Sequence, residues 1–179
     1  IIRVNGLKNK VLKARIPSLG DQKITFIQKG LLLHVQGPVR EPVGYDSVVE
    51  LEVEGEVQAE NGFCGEINFG GIQMGQAKAV LTGGVERATG TDVTGVGYIS
   101  PTSIRKWNSM NSRASWKVYM PEEGERELTI CYSCDSLSAG QPYWVEVEGA
   151  GMIEAKTLAG PKGFEEFYTR HLGKVKFPH

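Results

Sequence analysis

Apolar and polar residues alternate one by one along much of this chain. Leu51 and Val53, for example, alternate with Glu50, Glu52 and Glu54. Successive side chains of a β-strand point to opposite faces, so this segment is predicted to be a strand with an apolar inner face and a solvated, acidic outer face. Most of the chain repeats this period of two, which predicts antiparallel strands.

Turn-forming residues separate the predicted strands, a spacing typical of β-sandwiches and jelly rolls. The predicted strands are 10–16, 22–28, 31–36, 46–54, 76–81, 96–100, 114–120, 127–133, 143–148, 153–158 and 172–177. Residues 103–113 differ, because Ile104, Trp107 and Met110 are three apart; this segment is either a short helix or an irregular loop. A Gly-rich stretch follows Gly55, where we place a domain boundary.

Composition supports an all-β fold and argues against two kinds of partner. The chain has 23 glycines and 8 prolines among 179 residues, more than helices tolerate. It carries 20 Lys and Arg against 21 Asp and Glu, a net charge of −1, and the two signs alternate along the sequence. Nucleic acid is therefore not an expected partner. No apolar run approaches the roughly 18 residues of a membrane span, so we expect no membrane partner either.

The cysteines do not form a disulfide framework. Cys64, Cys131 and Cys134 cannot all pair within one chain, so at least one thiol is free or intermolecular. Cys131 and Cys134 have the spacing of redox and zinc motifs. They end a predicted strand rather than begin a helix, however, and only Cys64 and three histidines remain for the second ligand pair that zinc would need. We interpret them as small buried or edge thiols.

Catalytic groups are not evident. The carboxylates two apart at 50–54 and 146–148 have a spacing that a glycosidase would need, yet both sets lie on the solvated face of a predicted strand. No nucleophile elbow accompanies the histidines, and the glycine pairs lack the Gly-Lys-Ser/Thr of a phosphate-binding loop. The acids Glu56, Glu60, Glu66 and Asp92 are scattered, so we expect no cofactor, although a structural calcium ion bound by separate loops is left open.

The aromatic residues are more informative. Trp116, Tyr132 and Tyr143 share the phase of apolar neighbours and are predicted to be core. Trp107 instead lies among polar residues, and Phe164 lies beside glycine and glutamates. An aromatic face beside amide and guanidinium donors suits a sugar, which offers C–H groups for stacking and hydroxyls for hydrogen bonds. The alternative is that Trp107 and Phe164 plug the ends of a sandwich.

Four segments near the N-terminus form a recognisable pattern. They are Val4-Asn5-Gly6-Leu7 and residues 11–15, 31–35 and 45–53. A Gly-Leu pair opens a strand, a short strand with alternating apolar residues follows, and an Asp-x-Val-Val-x-Leu-Glu strand leads out. This pattern resembles the C-terminal β-sandwich of the α-L-fucosidases of glycoside hydrolase family 29. The resemblance implies a β-sandwich domain over residues 1–55 that lacks its leading strands.

A second pattern covers the rest of the chain. It consists of Trp107, Trp116 and the segments 121–132, 139–145, 159–164 and 171–175. In this order they resemble the galactose-binding-like jelly roll that is appended to many secreted bacterial glycoside hydrolases. Phe164 stands where related modules have Trp, and Arg126 stands where Tyr is usual. The resemblance implies a carbohydrate-binding-like module over residues 56–179.

Together, the two resemblances imply an all-β chain of two β-sandwich domains, the second a galactose-binding-like jelly roll. It would be a non-catalytic accessory region of a secreted bacterial α-L-fucosidase, periplasmic or extracellular, whose catalytic barrel lies upstream. A start at Ile1, without Met or signal peptide, agrees with a fragment or processed product. The implied partners are that barrel and a fucosylated or galactosylated glycan, and binding would raise the local substrate concentration. The residues predicted to bind the sugar are Trp107, Asn108, Asn111, Arg105, Phe164 and Arg170.

Two other classes of function stay open at this point. The second domain could be a purely structural or interaction domain that stabilises the parent enzyme without binding sugar. An independent enzyme is the third class, although the acid and base that it would need are missing. Display of Trp107 to solvent would favour sugar binding, and burial of Trp107 beneath the Gly-rich loops would favour a structural role.

Overall fold

The structure, a computed structural model, describes residues 1–20, 24–37, 48–67, 70–88, 93–94, 97–98 and 102–178. These residues form strands and short 3-10 turns without an α-helix, so the all-β prediction is confirmed. The strands are β1 (Ile2–Asn5), β2 (Val11–Arg15), β3 (Thr25–Lys29), β4 (Leu32–Gln36), β5 (Glu50–Val53), β6 (Val80–Thr82), β7 (Glu86–Arg87), β8 (Val93–Thr94), β9 (Gly97–Tyr98), β10 (Ile104–Arg105), β11 (Arg113–Ser115), β12 (Gly124–Tyr132), β13 (Pro142–Val147), β14 (Gly151–Lys156) and β15 (Tyr168–Phe177). The 3-10 turns are Pro17–Leu19, Gln76–Lys78 and Gly163–Glu165.

The chain forms two compact units and passes between them more than once. Unit 1 comprises Ile1–Met74, Lys78–Val80 and Ser115–Pro121. Unit 2 comprises Gly75–Ala77, Leu81–Ala114 and Glu122–His179. The expected domains 1–55 and 56–179, with their sandwich and jelly-roll topologies, stay predictions.

Unit 1 contains a three-stranded antiparallel sheet in the order β1-β4-β3 and a separate antiparallel pair of β2 with β5. Alternation along β4 decides what is buried, since Leu33 and Val35 are fully buried and His34 between them is half-buried. Apolar side chains from both groups of strands meet in one core, whose buried members are Leu7, Val11, Ala14, Leu33 and Val35. On β2, a bulge between Val11 and Lys13 turns Leu12 outward, which explains why this leucine is exposed.

Unit 2 contains two long antiparallel pairs, β12 with β15 and β13 with β14, and two short pairs, β7 with β10 and β8 with β9. The register of β12 and β15 shifts between Leu128 and Thr129, opposite Gly173, whose φ is 123°. Only glycine adopts such a φ at little cost, so this bulge lies where the sequence allows it.

The structure departs from the sequence-based expectations in several places. Residues 103–113 form β10, a loop and the start of β11, so the loop interpretation of this segment is correct and the helical one is wrong. Strands β1, β7, β8 and β10 were not predicted. Trp116, Tyr132 and Tyr143 were expected to be core, but each is only half-buried. Parts of the strands predicted at 22–28, 46–54 and 96–100 lie outside the described residues.

Candidate functional site

Trp107 stands on an exposed loop directly after β10. Its side chain is 54% exposed, and its indole Nε1 donates a hydrogen bond of 3.0 Å to the backbone oxygen of Ile104. Lys106, between them, has a φ of 64°, a conformation that non-glycine residues seldom adopt. This residue turns the chain sharply out of the strand, and the hydrogen bond then fixes one edge of the indole while about half of the residue stays accessible to solvent.

Short hydrogen bonds hold the rest of this loop, residues 106–112, which we call the Trp107 loop. The backbone N–H of Asn108 donates to the oxygen of Lys106 at 3.0 Å, and that of Asn111 donates to Ser109 Oγ at 3.2 Å. Ser112 Oγ in turn donates to the backbone oxygen of Gly83 at 3.3 Å. The loop is therefore fastened to the turn that precedes β7.

Two amide side chains accompany the indole on this loop. Asn108 and Asn111 are both exposed. Within the part of the chain that the structure describes, neither side-chain amide forms a hydrogen bond with the protein. Each amide offers one acceptor and two donors, so both can bond to a polar ligand.

Glu86 holds two cationic side chains beside the loop. Its carboxylate lies 2.8 Å from Lys106 Nζ and 3.5 Å from Arg105 Nη2. The hydrogen bond from Lys106 is the main reason that the pKa of Glu86 lies below its ordinary value. Because all three groups are partly solvated, these ion pairs orient the side chains more than they stabilise the fold.

The other two predicted site residues lie on different elements. Phe164 is 52% exposed on the 3-10 turn Gly163–Glu165. Arg170 lies on β15, with its guanidinium carbon 5.0 Å above the centroid of the Tyr168 ring. Within the described residues, no hydrogen bond or ring contact joins Phe164 or Arg170 to Trp107, Asn108 or Asn111. Arg105, Trp107, Asn108 and Asn111 thus share one loop and the strand before it, whereas Phe164 and Arg170 lie on other elements of the chain.

The ring of Tyr168, which lies beneath Arg170, belongs to a cluster of three tyrosines. The ring centroid of Tyr132 lies 4.8 Å from that of Tyr168 and 6.2 Å from that of Tyr143. Tyr168 donates a hydrogen bond to the backbone oxygen of Leu158, whose N–H donates to Tyr132 Oη at 3.0 Å. Burial, followed by the hydrogen bond with Tyr132, raises the pKa of Tyr168 to about 12. The hydroxyls are thus used to fasten the chain around residue 158, which is a structural role.

A histidine–carboxylate–arginine cluster was missed at the level of sequence. Glu66 Oε2 lies 2.8 Å from Arg3 Nε and 2.9 Å from His34 Nε2. Burial alone would raise the pKa of Glu66, but the hydrogen bonds from Arg3 and His34 lower it overall. The only sequence signal was the place of His34 on the polar face of a strand, since its acidic partner lies 32 residues away.

The remaining candidate groups are ordinary surface carboxylates and free thiols. The paired carboxylates of 50–54 and 146–148 are exposed, as predicted. Cys131 is exposed and Cys134 is buried, as the strand alternation requires, and Cys64 is buried; all three are free thiols. Burial raises the pKa of both Cys64 and Cys134, which makes these thiols poor nucleophiles.

The scattered acids do not converge. Glu60 binds Lys8 and Lys117, and Glu66 is held as described above. Asp92 lies outside the described residues. Among the residues that the structure does describe, no three His, Cys, Asp or Glu side chains come together as a metal site. In the same residues, no helix is long and apolar enough to cross a membrane.

The fold and the site therefore define an all-β protein that displays a tryptophan loop on one of its two compact units. Comparisons with protein-family models, with curated protein sequences and with solved structures each found no match.

Proposed function

We propose that this chain is a non-catalytic carbohydrate-binding region and that the Trp107 loop is its binding site. The observation that carries the proposal is the exposed indole of Trp107, which is 54% accessible although its Nε1–H is tied to Ile104. A ligand that covers an exposed apolar ring removes apolar surface from water, which is favourable. A sugar ring can do so with its C–H face, and its hydroxyls remain available for polar partners.

The surroundings of the indole supply such polar partners. Asn108 and Asn111 carry amides that can donate to and accept from sugar hydroxyls, and Arg105 lies next to the turn. Because the hydrogen bonds of the loop already fix the indole, binding would lose little conformational entropy. Phe164 and Arg170, on other elements of the chain, belong to the proposed site only as contacts for an extended glycan.

The wider role is proposed on the resemblances in the sequence. The chain would be an accessory region of a secreted α-L-fucosidase, built from a sandwich over residues 1–55 and a galactose-binding-like jelly roll over residues 56–179. It would hold the enzyme near fucosylated or galactosylated glycans and thereby raise the local substrate concentration. The competing proposal is a structural domain without sugar binding. The hydrogen bonds of Tyr132 and Tyr168, which fasten the chain around Leu158, favour this role for the tyrosine cluster.

A fluorescence titration tests the binding site. The chain contains three tryptophans, and Trp144 is also exposed, at 45%, on β13. We expect saturable quenching when fucosylated or galactosylated oligosaccharides are added. Binding should weaken at least about fivefold in Trp107→Ala, because stacking contributes on the order of 1 kcal/mol or more. Trp144→Ala is the matched control and should bind like the parent protein.

Two results would contradict the proposal. No saturable response to any oligosaccharide, from protein whose circular dichroism shows it to be folded, would favour the structural role. Equal loss of binding in Trp107→Ala and Trp144→Ala would mean that the Trp107 loop is not the site.

A further inference from the structure

Cationic side chains are concentrated around the Trp107 loop. Residues 86–87 and 104–113 contain four cations, Arg87, Arg105, Lys106 and Arg113, and one acid, Glu86. The local charge is therefore 4 − 1 = +3, whereas the whole chain carries −1. An excess of positive charge in the segments beside a loop of a nearly neutral protein favours an anionic ligand there.

The fold brings these segments together. Strands β7 and β10 pair, with Ile104 opposite Arg87 and Arg105 opposite Glu86. The bond from Ser112 Oγ to the oxygen of Gly83 ties the end of the loop to the turn before β7. Arg105, Lys106 and Arg113 thus adjoin the loop that displays Trp107. Arg87 lies on the opposite face of the strand pair from Arg105, and its Nε–H donates to the backbone oxygen of Gln76.

Glu86 does not pair with Arg113. Glu86 is shared by Lys106 at 2.8 Å and Arg105 at 3.5 Å. Arg113 is exposed on β11, and it forms no ion pair with any carboxylate that the structure describes. A guanidinium in this state can form paired hydrogen bonds with an incoming carboxylate or sulfate.

We propose that the ligand of the Trp107 loop is an acidic saccharide, carrying carboxylate or sulfate groups. This inference rests on the proposed sugar-binding function and adds the chemical class of the sugar. Trp107 stacks on the C–H face of one ring, the amides of Asn108 and Asn111 bond to hydroxyls, and Arg113 binds the acidic group. A polynucleotide fits less well, because its affinity comes from many phosphate contacts and a chain of net charge −1 repels it beyond this loop.

Binding of matched oligosaccharides tests the inference. The probes are oligogalacturonates, sulfated galacto-oligosaccharides and neutral galacto-oligosaccharides of equal length, with a single-stranded DNA of similar charge as a fourth probe. We expect the acidic saccharides to bind at least about fivefold more tightly than the neutral ones, and the difference to shrink as salt is raised to about 0.5 M.

Variants locate the charge effect. Arg113→Gln should weaken binding of the acidic saccharides about three- to tenfold and leave the neutral ones unchanged. Arg126→Gln removes the same charge from an exposed position on β12 and should have no effect. Trp107→Ala should weaken both kinds of saccharide, which shows that stacking and charge act at one site.

The outcomes separate the two proposals. If neutral and acidic saccharides bind equally and Trp107→Ala weakens both, the inference is wrong and the sugar-binding function stands. If no saccharide binds, both are wrong. If the DNA binds as tightly as the acidic saccharides, or if Arg126→Gln acts like Arg113→Gln, the loop has no selectivity for acidic sugars and the inference is overturned.

Discussion

At the scale of single residues, Glu66 joins three parts of unit 1. The register of β1 and β4 places Arg3 opposite His34, and both side chains bond to the same carboxylate oxygen. The backbone oxygen of Glu66 also accepts a hydrogen bond of 2.8 Å from Asn5 Nδ2. The carboxylate and the backbone oxygen of Glu66 therefore join the segment around residue 66 to strands β1 and β4.

We expect Glu66→Gln to destabilise the protein by about 1 kcal/mol, since it weakens two charge-assisted hydrogen bonds at a partly solvated site. Urea unfolding at pH 7 measures this loss. Glu56→Gln is the control, because Glu56 is exposed and its side chain has no partner among the described residues. An equal loss in both variants would mean that the Glu66 cluster contributes nothing specific.

The lowered pKa of Glu66 also predicts a pH dependence. Because the folded pKa lies below the ordinary value of 4.5, the stabilisation is fully present above about pH 4.5 and is lost as the pH falls through the folded pKa. Urea midpoints measured from pH 6 down to about 3 should converge for the parent protein and Glu66→Gln. A difference that persists undiminished at the acid end would show that the ionised carboxylate is not responsible.

At the scale of secondary-structure elements, the turn Gly83-Gly84 positions the Trp107 loop. Gly83 has a φ of 72° and Gly84 a φ of 87°. A Cβ on Gly83 would fall on the backbone oxygen of Asn111, whereas a Cβ on Gly84 would point into open space. A side chain at either position would therefore be strained by the positive φ, but only one at Gly83 would also collide with the loop.

This difference allows the cost of a positive φ to be measured apart from the displacement of the Trp107 loop. We expect Gly84→Ala to cost about 1 kcal/mol, the usual penalty for a side chain at positive φ. Gly83→Ala should cost at least about 1 kcal/mol more and should also shift the emission of Trp107, because the loop must move away. Urea unfolding and fluorescence of the native state measure the two effects. Identical behaviour of the two variants would show that the turn does not position the loop.

The sequence predicted elements where local periodicity was strong and missed them where distant pairing creates them. The alternation of β4, β5 and β13 is visible in the chain itself. Strands β7 and β10 have two residues each and exist because Ile104 and Arg105 meet residues of β7, which no local pattern reveals. The same holds for the site. Polar neighbours made Trp107 a candidate for an exposed position but left burial open, and which of the other predicted residues lie beside it depends on tertiary structure.

At the scale of the whole molecule, unit 1 is completed by a segment that follows residues 81–114 of unit 2. Residues 115–121 belong to unit 1, where the Cys64 N–H donates to the oxygen of Lys117 at 2.7 Å. The Tyr119 N–H donates to the Cys64 oxygen at 3.0 Å, and Tyr119 Oη accepts from the Leu31 N–H at 3.2 Å. A domain boundary read from the sequence as a single cut near Gly55 carries no sign of such a returning segment.

The three thiols can report the opening of each unit separately. Cys131 is exposed, while Cys64 in unit 1 and Cys134 in unit 2 are buried. A thiol reagent should therefore label Cys131 at once, and it should label the buried thiols only when their unit opens, at a rate that follows the open population. Burial also raises the pKa of both buried thiols, which slows their reaction further in the native state.

Tyr119→Phe then tests whether the returning segment stabilises unit 1 alone. The substitution keeps the ring whose centroid lies 5.5 Å from that of Phe63 but removes the hydroxyl that accepts the hydrogen bond of the Leu31 N–H. We expect it to lower the stability of unit 1 by about 1 kcal/mol. Mass spectrometry of labelled peptides should show Cys64 reacting about fivefold faster, with Cys134 unchanged. Equal acceleration at both thiols would mean that the two units open together, because a local change in unit 1 would then lower the stability of both.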